Sequence, residues 1–212
     1  MTAEPPVSNP PGRTTVFRVP TLFVVALITM WLLGMHAVIE GVRAIDIIRS
    51  PLSESLSSFD SNNVADAAQR AFVEGVSKHS GVTLPLGIAQ LLLGALLAIV
   101  SIRALFGRRG SRSFALQVLA ANALLAVVGY LLHDPVRAAV VESIVVGVLD
   151  QRPPELGRAE FEAAARTNLM WGFRFWLTAQ LVGFGFAAFV MTRRRMRHLF
   201  SHSDQAMDSN RP

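Results

Sequence analysis

The chain has 212 residues, 51% hydrophobic and only 17% charged, where a soluble domain carries about 25% charged residues. Its formal charge is +5 and Lys78 is the one lysine among 20 basic residues, but no basic patch is interleaved with aromatics as single-strand binding requires, so no nucleic-acid partner is expected. There is no cysteine, which excludes disulfides, thiolate metal sites, a lipobox and cysteine nucleophiles.

Residues 1–18 are polar and Pro-rich and read as a disordered cytoplasmic tail. Residues 19–40 form the first apolar run, too long for a signal-peptide core and without a small residue at the −3 position of Met35-His36-Ala37. It is expected to be an uncleaved membrane anchor. Residues 41–82 make a long loop. Pro51 ends any helical extension of the anchor, and Val64, Ala68, Phe72 and Val76 are spaced four apart, which predicts a helix over 64–79. Residues 83–103 and 113–133 are the second and third spans, separated by a tight Gly-containing turn over 104–112, so they form an antiparallel hairpin.

A second long loop covers 134–169. Within it, residues 135–149 are apolar but short, and they hold Arg137 and Glu142; an interfacial or packed helix is expected there rather than a fifth span. Residues 158–168 read as a helix continuous with the fourth span, 170–192, and residues 193–212 form a basic tail. The fold class is therefore an all-α membrane protein, a four-transmembrane-helix bundle with short extracytoplasmic helices in its two long loops.

Charge sorts the two faces. The tails and the short turn, with Arg103 just before it, hold eleven arginines against three acids, whereas the two long loops with their flanking helix ends hold nine basic residues against twelve acids. Arg103, Arg108, Arg109 and Arg112 in the turn, with Arg193, Arg194, Arg195 and Arg197 in the tail, act as topology anchors that place both termini in the cytoplasm. Arginine in place of lysine, with abundant Ala and Val, suggests a GC-rich genome and a bacterial inner membrane. The halves also share short matches, Val42-Arg43-Ala44 with Val136-Arg137-Ala138 and Ala89-Gln90-Leu91 with Ala179-Gln180-Leu181. These make a two-fold internal repeat a candidate, its axis along the membrane normal.

Polar side chains inside a membrane are costly and mark function or packing. Gln90, Asn122 and Gln180 lie well inside their spans and are expected to be structural, each an interhelical hydrogen bond. Tyr130, Trp171 and Trp176 fit an outer aromatic belt. Gly94/Ala98 and Gly183/Ala187 present small-residue faces for close helix contact, within the chain or between copies. At the outer ends, His36 and Glu40 share a face of the first span and His133-Asp134 ends the third. His36 and His133 are the candidate cofactor-binding residues, as axial ligands of a b-type haem or, with the adjacent carboxylates, as ligands of a divalent metal.

No Walker loop, dinucleotide Gly pattern, HExxH or GxSxG occurs, so no catalytic residue is assigned and enzyme activity is not the leading expectation. The leading functional expectation is a non-catalytic structural or accessory subunit whose extracytoplasmic loops interact with something outside. Its partners would be the lipid bilayer and other membrane subunits or further copies of the chain. The alternatives are a haem or metal redox protein on His36 and His133, and a small transporter or channel. The last implies a polar path past Gln90, Asn122 and Gln180.

Overall fold

The computed structural model describes residues 21–50, 59, 63–105, 111–150 and 158–193. The N-terminal tail, the turn arginines Arg108 and Arg109 and the tail arginines Arg194, Arg195 and Arg197 lie outside the described residues. Six helices follow in order: α1 (Thr21–Arg49), α2 (Val64–Lys78), α3 (Ser80–Leu105), α4 (Ser111–Leu132), α5 (Asp134–Asp150) and α6 (Arg158–Thr192). There is no strand among the described residues. Four helices, α1, α3, α4 and α6, are long and apolar enough to cross a membrane, and they suggest a multi-pass membrane protein. At 17 residues, α5 is not one of them.

The long helices close a circuit: α1 packs on α3, α3 on α4, α4 on α6 and α6 on α1. Large apolar side chains point away from that circuit, among them Leu92, Leu124, Leu131, Phe175 and Val182. In water such a surface would drive aggregation; in lipid it is the solvated face. With lipid outside, burial of apolar area no longer drives helix association, and close packing does. The most extensive contact, α1 on α3, rests on glycines seven apart in both helices. A Cβ on Gly34 would stand 2.8 Å from the Gly94 carbonyl oxygen, and one on Gly41 would stand 2.6 Å from that of Gly87. Seven-residue spacing keeps both pairs on one seam, where the absent side chains let the backbones touch.

Gly94 and Ala98 face Gly34, while Gly183 faces Leu33 and Thr29; both small-residue faces are therefore spent inside the chain. One half of the circuit is filled by apolar side chains from all four helices. Met30, Leu97, Leu119, Ala187 and Met191 are essentially inaccessible there, with Phe23, Leu27, Val100, Val118 and Phe184 around them. The expected topology anchor Arg112 lies at this end and caps α6. Its Nε donates to the Met191 carbonyl at 2.7 Å and its Nη2 to that of Thr192 at 3.4 Å, satisfying acceptors that a helix C-terminus leaves open. Arg103 is exposed at the end of α3, and the Arg193 guanidinium lies 4.7 Å from the Phe189 ring centroid. The end of α3, the start of α4 and the end of α6 thus share one end of the molecule.

At the other end α2 and α5 pack on each other. Val64 meets Gly147 and Gly75 meets Val136, so they run antiparallel. The α2 helix starts on an Asn63 cap whose side chain accepts from the Ala65 amide at 3.0 Å. Its buried residues are Val73, Gly75 and Val76. Single-residue junctions, His79 before α3 and His133 before α5, hold this pair against the long helices. At 35 residues α6 is about 52 Å long, well beyond a hydrocarbon core of about 30 Å. Its N-terminal part is tied to α5 by Arg166, which lies 2.8 Å from Glu142 and 2.7 Å from Glu162.

Candidate ligand-binding cavity between the helices

Above the apolar half, the four long helices diverge around a cavity of about 310 Å³. Helical spacing turns one face of each wall inward: Leu33, His36, Ala37 and Glu40 from α1; Asn122, Leu125, Ala126, Gly129, Tyr130 and His133 from α4; Phe173, Trp176, Leu177, Gln180 and Phe184 from α6. These are the i, i+3, i+4, i+7 rows that share a helix face. From α3, which is locked on α1, comes only Gln90. The roof is Phe72 of α2 with Val136, Arg137 and Val140 of α5. At the floor Phe184 belongs both to the cavity and to the apolar cluster below. The cavity is therefore a cup that ends on a dry plug.

The three intramembrane amides meet here and play different parts. Asn122 is 3% exposed; its Nδ2 donates to the Val118 carbonyl at 2.9 Å and across to the Leu93 carbonyl at 3.2 Å, which ties α4 to α3. Gln90 and Gln180 line the cavity, and neither side chain is hydrogen-bonded to another described residue.

His36 and His133 both line the cavity, but at different depths. Gly94 lies against the Gly34–Val38 stretch of α1 and Asn122 bonds to Leu93, so His36 is level with Asn122. His133 is eleven residues further along α4, about 16 Å higher at 1.5 Å per residue. Similar depths follow from counting each span from its outer end. The glycine seam corrects this by setting α1 deeper against α3 than such counting assumes. The imidazole of His36 packs edge-on to Trp176, with centroids 5.2 Å apart and planes at 80°. Among the described residues no three His, Asp or Glu side chains are grouped to hold a metal ion.

The charged end of the cup centres on Arg137, 8% exposed. Its guanidinium lies 3.7 Å from the Tyr130 ring centroid, donates through Nη1 to the Tyr130 carbonyl, and pairs through Nη2 with Asp134 at 2.9 Å. Its Nε is buried without a hydrogen-bond partner, as is Nε2 of His133. His133 sits at the turn beyond the α4 span, and burial pushes its pKa below the ordinary imidazole value. Arg137 and His79 push the same way, while Glu40 opposes them. Protonating the ring therefore costs the folded state.

A depressed histidine contributes stability that is complete above the ordinary imidazole pKa near 6.5 and is lost as pH falls through the lower folded-state value. His133→Gln is therefore expected to flatten the fall in thermal stability over roughly pH 7 to 5; thermal melts of both proteins in detergent check it.

Tyr130 and Trp176 line the cup, Trp176 with about half of its surface still exposed, and Phe72 reaches it from the loop helix. Arg137, an arginine in an apolar helix, was the clearest signal for that end of the site.

Comparison with protein-family models, with curated proteins and with solved structures finds no match to this chain. Fold and site together define a class by physics alone: a chain with four membrane-length apolar helices around a cavity closed at one end.

Proposed function

We propose that the chain is a non-catalytic accessory protein of a bacterial inner membrane, a four-helix bundle that holds a small ligand in its outer half. Both termini are cytoplasmic, and α2 and α5 cap the extracytoplasmic face; the arginine excess in the turn and tails supports this orientation. The observation that carries the proposal is the convergence of Gln90, Gln180, His36 and Glu40 with a buried, incompletely bonded Arg137 on one cavity. Concave, mostly apolar pockets with a few converging polar groups are where small molecules bind. The apolar plug beneath favours holding a ligand over conducting one. Internal duplication is the finer structural proposal: it is supported by Gln90 and Gln180 sharing one cavity, while the α1·α3 contact is far more extensive than its counterpart α4·α6.

Ala126→Phe fills the cup from one wall. Native-membrane purification followed by solvent extraction and mass spectrometry is expected to recover a small molecule from the wild type and to lose it in the variant. Equal recovery, or none from either, would count against the proposal.

A second reading, haem or metal on His36 and His133, is favoured by their common cavity. Against it stands their separation of about 16 Å along the axis, since two axial ligands of one iron must meet across a single ring. Purified protein is expected to be colourless; a Soret band lost in both His36→Ala and His133→Ala would replace the proposed function with this one.

A further inference from the structure

We infer that the cup takes an elongated, uncharged amphiphile whose acceptor oxygen docks at the outer end, against Arg137 Nε and His133 Nε2. The inference rests on the proposed function, since it assumes that the cavity binds a ligand. Shape comes first. The lining on α4 runs from Asn122 to His133, about 16 Å, yet the volume is about 310 Å³, at the low end for ligand pockets. A slender chain fits such a space better than a broad ring.

Polarity comes next. Arg137 is more than nine-tenths buried and is one of the residues lining the cavity, and its Nε is buried with no partner. His133 adds a second buried, unpartnered nitrogen at the same end, and a neutral imidazole with its proton on Nε2 donates. Buried donors left unmet are costly, so an acceptor placed between them is strongly favoured. Along the shaft the walls are Leu33, Leu125, Leu177, Phe173 and Trp176, suited to a hydrocarbon body. Gln90, beside Gly129 on the shaft, and Gln180, one turn above Phe184, can meet a further oxygen.

Charge decides the class. The positive charge of Arg137 is matched by Asp134 at 2.9 Å. Glu40, which faces the same cavity, forms no ion pair among the described residues. An anionic head placed at Arg137 would be repelled by Glu40 and Asp134, and a cationic one by Arg137 itself. Either would also carry a desolvation cost that an uncharged oxygen avoids.

The test uses the full chain in nanodiscs of zwitterionic phospholipid, with Trp31→Phe and Trp171→Phe leaving Trp176 as the reporter. The probes are a matched ten-carbon series: 2-decanone, decanoate and decylamine. The ketone is expected to give a saturable change in Trp176 fluorescence, with the two ions at least about ten-fold weaker. Arg137→Lys keeps the positive charge beside Asp134 but removes the Nε donor. It is expected to weaken ketone binding about five- to ten-fold, and His133→Leu similarly. If decanoate or decylamine binds tightest, the uncharged class is wrong while the cavity remains a binding site. Ketone binding unchanged in both variants would place the head elsewhere and overturn the inference. If no probe saturates, the inference falls together with the proposed function.

Discussion

Gly41→Leu is expected to abolish the α1–α3 contact and with it most of the folded protein. The new Cβ alone would stand 2.6 Å from the Gly87 carbonyl oxygen and 2.7 Å from the Leu91 nitrogen, so both backbones would have to move apart. Overpacking a well-packed core costs about 1–3 kcal/mol where side chains can yield. Backbone cannot yield in the same way, and the loss is expected to exceed that range. Gly34→Leu and Gly94→Leu should behave alike. Gly185→Ala is the control. No atom lies within 4 Å of its added Cβ, and replacing a helical glycine is expected to gain up to about 1 kcal/mol. Yield of monodisperse protein and thermal stability in mild detergent measure both.

The second large effect has an unexpected order. Asp134 is 67% exposed and Arg137 only 9% by side chain, so removing the exposed member does the greater harm. Asp134→Ala leaves a buried guanidinium without its counter-charge. It is expected to cost about 2–3 kcal/mol, toward the low side of the usual range because water screens Asp134. Arg137→Met loses the contact with the Tyr130 ring and the bond to its carbonyl, but leaves a carboxylate that water solvates; about 1–2 kcal/mol is expected. In the double variant the stranded charge is gone, and its loss is expected to match that of Arg137→Met alone. A double-mutant cycle by reversible denaturant unfolding in detergent reads the coupling. Strict additivity would mean that the pair does not hold this end together.

Much of the fold was legible because apolar length is a local property of the sequence. The four long helices lie where the apolar runs are, and Val64, Ala68, Phe72 and Val76 mark a helix over almost the residues that form α2. The buried face of α2 is nevertheless rotated toward Val73 and Val76, because its neighbour is α5 rather than the long helices alone. The cavity was not legible, since it depends on how far each helix slides past the next. That offset is set by glycines facing glycines, Gly34 with Gly94 and Gly41 with Gly87. Their seven-residue spacing was visible in each helix, but their pairing was not. From the same cause, His36 came to be level with Asn122 instead of His133. Gln90, Asn122 and Gln180 looked alike in sequence; only Asn122 bonds across helices.

The natural absence of cysteine allows single cysteines to report the cup without a background to remove. Right-side-out and inverted vesicles bearing Ala126→Cys, Gln180→Cys or Leu119→Cys would be treated with a small, membrane-impermeant thiosulfonate. Ala126→Cys and Gln180→Cys are expected to react from the face that carries α2 and α5, and Leu119→Cys from neither face. Labelling of Leu119→Cys from either side, or failure of both cavity positions to label, would contradict a water-accessible cup that ends on a dry plug.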